Sequence, residues 1–138
     1  MGKGRILIID DSVTLLAKVK ERLTREGYEV VTSSKAVGNS ELLLGTDVVL
    51  IDFHMPGFSG ASALRGLRKA AEVFGQSDTI FSLFTSDDVE AANYREHGFD
   101  KVVTDKGDID AVALQVDALF ASLSIRKAIA AGTLPSEG

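Results

Sequence analysis

The feature that most constrains this chain is a run of four branched apolar residues, Val48-Val49-Leu50-Ile51, that stops on a carboxylate, Asp52. No polar residue interrupts the run, so it suits a strand covered on both faces, as in a parallel sheet flanked by helices. A second run of the same kind, Ile6-Leu7-Ile8-Ile9, ends on two carboxylates, Asp10 and Asp11. Both runs are far too short to cross a membrane or to form a signal-peptide core. After Asp52 the pair Pro56-Gly57 turns the chain, because proline fixes φ and glycine tolerates φ > 0.

The remaining chain alternates in the same way. Ser12 can cap a helix whose apolar residues Val13, Leu16, Val19 and Leu23 keep helical spacing, and Gly27 suits its end. Tyr28 to Thr32 reads as a short strand, and Lys35 to Leu44 as a weak helix interrupted by Gly38. Leu64, Leu67, Ala71 and Phe74 mark a third helix ending at Gly75. Thr79 to Phe84 is a fourth strand that ends on Thr85 and Ser86. Asp87 and Asp88 can open a short fourth helix closed by Gly98, and Lys101 to Thr104 is a brief fifth strand. Ile109, Val112, Ala113, Val116, Leu119, Phe120 and Leu123 form one apolar stripe on a last helix. That stripe breaks at Arg126-Lys127, so the domain is expected to span residues 1–123. Residues 124–138 would be a helical extension or tail punctuated by Gly132 and Pro135.

Strands alternating with helices predict an α/β fold: a single doubly wound, five-stranded parallel sheet of the (βα)5 flavodoxin-like kind, strand order 2-1-3-4-5. In that order the first and third strands flank the switch point. Asp10, Asp11, Asp52, Thr85 and Lys106 then converge on one sheet edge. At 138 residues the chain is one domain, and a net charge of −5 without a basic cluster argues against direct nucleic-acid binding. The absence of cysteine excludes disulfides and thiolate metal sites. His54 and His97 have no ligand spacing for zinc and are expected at the surface, with Phe53 and Met55 as packing residues.

Three carboxylates at one edge repel one another unless a cation joins them, and oxygen ligands of this kind suit Mg²⁺. A lysine and a hydroxyl aimed at the same place would complete a cradle for a phosphoryl group, which a carboxylate can accept as an acyl phosphate. Singly, each residue has a plainer role: Asp10 and Asp11 as helix N-terminal acids, Asp52 as a turn residue, Thr85 as a cap, Lys106 as a solvated lysine. Their ordered convergence separates the two readings.

The acidic pair with Ser12, the run Asp52-Phe53-His54-Met55-Pro56-Gly57 with Gly60, and Thr85 and Lys106 together resemble a receiver domain of two-component response regulators. The resemblance covers roughly residues 4–123. It implies Asp52 as phosphoacceptor, Asp11 as a direct Mg²⁺ ligand, Asp10 as a ligand through water, and the His54 carbonyl as a further ligand. Thr85 and Lys106 would contact the phosphoryl oxygens. It also implies a sensor histidine kinase or histidine phosphotransfer protein as donor, a downstream protein as target, and a cytoplasmic location with no membrane insertion. No turnover of an external substrate is expected.

Several positions depart from the family pattern. Gly107 follows the lysine where a cis-proline is usual, Val103 stands where an aromatic switch residue is usual, and Ser86 is bulkier than the usual Ala or Gly. These changes predict that phosphorylation alters the face of the fourth helix, fifth strand and last helix only weakly. Counting forward from Gly98 without a gap puts Asp105 in the lysine's place; a bulge or insertion would restore Lys106. The alternative function is a pseudo-receiver, the same fold used as a phosphorylation-independent interaction module. A haloacid-dehalogenase-type hydrolase would want a carboxylate where His54 stands. A flavin or nucleotide binder would want a Gly-rich loop where Asp10 and Asp11 would repel phosphate.

Overall fold

The two apolar runs sit side by side at the centre of a sheet. A computed structural model describes residues 2–133. Its strands are β1 (Gly4–Ile9), β2 (Tyr28–Ser33), β3 (Val48–Asp52), the two-residue strands β4 (His54–Met55) and β5 (Phe58–Ser59), β6 (Ile80–Phe84) and β7 (Lys101–Val103). The α-helices are α1 (Val13–Arg25), α2 (Gly60–Val73), α3 (Asp88–Ala92) and α4 (Ile109–Ala130). The main sheet runs β2-β1-β3-β6-β7 with every pairing parallel. With the small β4–β5 hairpin set aside, this is the predicted 2-1-3-4-5 order.

Alternation along the central strands feeds two cores. Ile6, Ile8, Val48, Leu50 and Ile80 pack with α1 and α4 through Leu16, Val19, Leu23, Val112, Val116 and Leu119. Leu7, Ile9, Val49, Ile51, Phe81 and Leu83 face α2 through Ala63, Leu64, Leu67 and Ala71. A strand buried on both faces gains from an apolar residue at every position, and this explains the unbroken runs.

Two expectations change. The weak helix over Lys35 to Leu44 is reduced to a single 3-10 turn, Ser40–Leu43. Gly38 adopts φ 81°, outside the helical region, and the buried Asn39 uses its side chain on Ser33 Oγ and the Lys35 carbonyl. Local side-chain bonds of this kind compete with helix formation. Among the described residues there are therefore four α-helices instead of five. The last helix continues past its apolar stripe to Ala130. Arg126 donates to the Asp78 carbonyl and Lys127 pairs with Asp47, so this extension stays tied to the sheet's far edge. Its end is the turn at Gly132 (φ 77°); Pro135 lies outside the described residues. His97 is half-buried where full exposure was expected, its ring 4.4 Å from that of Phe53. His54 is exposed, as expected, and Met55 is buried.

None of the described helices is long and apolar enough to cross a membrane.

Candidate functional site

The site is built where β1 and β3 end together, in register from Ile6 and Val48 to Ile9 and Ile51. The chain leaves β1 at Asp10, which is buried and accepts the Ser12 amide at 2.9 Å on Oδ1. Ser12 in turn caps α1, accepting the Leu15 amide. Asp11, next along, is exposed at the mouth. Asp52 closes β3 opposite Phe84 and is only 8% exposed. Carboxylate oxygens of Asp10, Asp11 and Asp52 lie within 4.8 Å of one another, so one ion could touch all three.

Beyond Asp52 the β4–β5 hairpin, turned by Pro56 and Gly57 (φ 80°), folds the chain back on itself. The Gly60 amide donates to the Phe53 carbonyl at 2.7 Å, seating the start of α2 directly against the strand end. A Cβ on Gly60 would stand 2.6 Å from the Asp52 carbonyl oxygen and 2.8 Å from Phe53 Cα. Only glycine fits there.

Lys106 reaches the cluster from the opposite side. Its Nζ donates to Asp10 Oδ2 at 2.7 Å and to Asp52 Oδ1 at 2.9 Å, 4.7 Å from the Phe84 ring centroid. The register question is settled by a bulge. Asp105 takes φ 59°, the left-handed region that few non-glycine residues adopt, and the turn it makes lets Lys106 and not Asp105 face the carboxylates. Gln115 of α4 braces this turn by accepting from the Thr104 amide and donating to its carbonyl, both at 2.8 Å. Ser86 holds it from the other side, its Oγ accepting the Lys106 amide at 3.0 Å. Gln115 carried no sequence signal for this role, and Ser86 gives up the small side chain of its position to provide a bond.

Thr85 comes to the same edge and is buried, but its hydroxyl does not bond to the carboxylates. It donates to Glu90 Oε1 at 2.7 Å and accepts the Asp87 amide at 3.1 Å. The other Glu90 oxygen contacts His54 Nε2. Val103, in the switch position, is fully buried, and its carbonyl accepts the Thr85 amide at 3.1 Å.

Burial is the first cause that pushes the Asp52 carboxyl above its ordinary pKa. Lys106 opposes this through its hydrogen bond and charge, while Asp10 and Asp11 add to it. Three carboxylates against one ammonium leave a formal excess of two negative charges. An oxygen-only donor set with that excess fits a hard divalent cation such as Mg²⁺, and the neighbouring ammonium suits an anion bound beside it.

The family model of the response regulator receiver domain matches residues 6–116. The protein PilH of Pseudomonas aeruginosa is 40% identical over 73 residues, covering 50% of this chain and 59% of PilH. The chemotaxis protein CheY of Thermotoga maritima is 33% identical over 72 residues, covering 50% of this chain and 59% of CheY. The matched stretch thus spans about three-fifths of each relative's length. Among solved structures, the chemotaxis protein CheY4 of Vibrio cholerae shares the fold at TM-score 0.72 and 18% identity, covering 84% of this chain and 98% of that one. The response regulator TrrA of Thermotoga maritima, solved in complex with Mg²⁺ and beryllofluoride, matches at TM-score 0.68 and 26% identity with the same coverage. A family model that takes in most of the sheet, together with these relatives, makes this chain a member of the response regulator receiver domain family.

Proposed function

We propose that the chain is a Mg²⁺-dependent phosphoacceptor in two-component phosphorelay signalling, phosphorylated on Asp52. The observation that carries this reading is Lys106 Nζ held on Asp10 and Asp52 together, 2.7 and 2.9 Å away. A structural lysine would not need to be drawn by a left-handed Asp105 onto two buried carboxylates, and the phosphorylation-independent alternative gives that geometry no purpose.

In the proposed reaction a carboxylate oxygen of Asp52 bonds to phosphorus as the N–P bond of a phosphohistidine breaks. The departing imidazole keeps the electron pair and takes a proton from solvent. Asp11 would ligate Mg²⁺ directly, Asp10 through water, with Asp52 and the His54 carbonyl as further ligands, and the ion would neutralise phosphoryl oxygens. Lys106 would turn from the carboxylates to a phosphoryl oxygen, a short movement because the group would sit on Asp52 itself. Thr85 would donate to another. Little bond chemistry is asked of the protein beyond positioning and charge neutralisation.

The donor is a sensor histidine kinase or a histidine phosphotransfer protein, and the output is contact with a downstream protein. Neither direct nucleic-acid binding nor membrane insertion is part of this reading, and it places the chain in the cytoplasm. No external substrate is turned over. The receiver would span residues 1–123, and the part of the last helix from residue 124 to Ala130 would extend beyond it. The test is incubation with acetyl phosphate, with and without Mg²⁺, read by intact-protein mass. Wild type should gain one phosphoryl group only with Mg²⁺, and Asp52→Asn should gain none. Labelling that persists in Asp52→Asn moves the acceptor elsewhere. An unlabelled wild type with Mg²⁺ bound leaves only the interaction module.

A further inference from the structure

Glu90 stands in the first turn of α3, a five-residue helix with no buried residue of its own. Its side chain is nonetheless only 13% exposed, because it is turned inward toward the site. One oxygen accepts the Thr85 hydroxyl at 2.7 Å and the other contacts the His54 ring, which is 76% exposed. The Glu90 amide donates to Asp87 Oδ1 at 2.9 Å, and the Asp87 amide donates to Thr85 Oγ1 at 3.1 Å. Thr85 directly follows Phe84, the cross-strand neighbour of Asp52.

A threonine hydroxyl has one proton to give. While that proton is on Glu90 it cannot be given to an oxygen bound at Asp52. We propose that Glu90 is a positioning residue, a latch that withholds the Thr85 hydroxyl from Asp52 until a phosphoryl oxygen competes for the same proton. This rests on the phosphoacceptor reading above and adds to it a residue with no role in the family motif.

Both states of the hydroxyl give it a charged acceptor, Glu90 in one and a phosphoryl oxygen in the other, so the exchange is close to balanced and small influences decide it. Turning to the phosphoryl group leaves Glu90 with His54 alone and removes the side-chain bond joining α3 to the end of β6. Val103 is fully buried, and its carbonyl bonds the Thr85 amide and not the hydroxyl, so this tie survives the exchange. The response is therefore concentrated on residues 85–92. The weak response expected from Val103 and Gly107 is kept for β7 and α4 and replaced for α3.

The test is a double-mutant cycle at Glu90 and Thr85, titrating Mg²⁺-beryllofluoride and reading affinity by NMR. Glu90→Ala should bind about tenfold more tightly than wild type, the scale of one hydrogen bond to a charged group. Glu90→Gln, which keeps an acceptor for the hydroxyl, should stay closer to wild type. In a Thr85→Ala background the gain from Glu90→Ala should vanish. A gain of the same size in both backgrounds would show that Glu90 acts only by its charge and would overturn the latch. So would an unchanged affinity in Glu90→Ala, with Asp52 still taking up beryllofluoride. Failure of wild type and all variants to bind beryllofluoride would overturn the phosphoacceptor reading and the latch together.

Discussion

Two glycines of α2 offer the same substitution with opposite predicted outcomes. At Gly66, inside the helix, an added Cβ would meet nothing within 4 Å. Alanine there should stabilise by about 1 kcal/mol, the helix-propensity difference between the two residues. At Gly60, the first residue of α2, the same carbon would lie 2.6 Å from the Asp52 carbonyl oxygen and 2.8 Å from Phe53 Cα. Both are backbone atoms, so the contact is relieved only by moving the helix start or the strand end. Overpacking of this kind costs about 1–3 kcal/mol, and a propensity gain of at most ~1 kcal/mol does not offset it. The two variants should therefore differ by about the overpacking cost, roughly 2 kcal/mol at the middle of its range, in urea midpoint analysis, with m unchanged. In melting temperature this is roughly 6–8 °C for a chain of this size. Because the strain falls on the Asp52 peptide, Gly60→Ala should also weaken Mg²⁺ binding, and Gly66→Ala should not. Equal stability of the two variants would refute the close approach of α2 to the acidic strand end.

Asp11→Asn should lower Mg²⁺ affinity markedly and leave the metal-free fold as stable as wild type or more so, since it removes repulsion from the carboxylate cluster; identical Mg²⁺ affinity by calorimetry would remove Asp11 from the site. Asp105→Ala should cost about 1 kcal/mol and Asp105→Gly should not, because glycine holds φ 59° freely and aspartate tolerates it better than alanine; equal melting points of the two variants would contradict the left-handed turn that delivers Lys106. Tyr28 is buried and donates its hydroxyl to Asp117, and burial is the first cause raising its pKa above the ordinary 10.0. The folded chain thus keeps this proton after the unfolded chain has lost it. The stabilisation is complete below pH 10 and is lost as pH rises from there toward the folded value. Tyr28→Phe should show a shallower loss of stability above pH 10 in denaturant titrations, and an equally steep loss would show that Tyr28 does not contribute.

The parts of the fold that were legible in the sequence are those where burial dictates composition. Ile6–Ile9 and Val48–Ile51 are covered on both faces, so no polar residue is tolerated and the strands announce themselves. The Lys35 to Leu44 stretch reads as a weak helix interrupted by Gly38, and only its last part forms a helical turn. Gly38 at φ 81° acts as that interruption, and the Asn39 side-chain bonds, which periodicity does not register, complete it. The apolar stripe of α4 ends at Leu123, yet the helix continues because Arg126 and Lys127 find partners at Asp78 and Asp47, brought near only by folding.

At the site, the carboxylates were legible because each sits at the end of a recognisable strand. Lys106 was ambiguous by one residue, since its register depends on a single backbone angle at Asp105. Glu90 and Gln115 could not be found at all. Each makes a bond to a residue that lies close only in the folded chain, and neither belongs to a pattern visible along it. Thr85 was legible as a residue of the same edge, but its bond to Glu90 was not.

The central claim is that Asp52 is the phosphoacceptor of a Mg²⁺ site shared with Asp10 and Asp11. Borohydride reduction of the protein after acetyl phosphate treatment converts an aspartyl phosphate to homoserine, which peptide sequencing by mass spectrometry locates. The account predicts homoserine at position 52 alone, and only when Mg²⁺ was present during phosphorylation. Homoserine at position 10 or 11, or none anywhere with Mg²⁺ demonstrably bound, would contradict it.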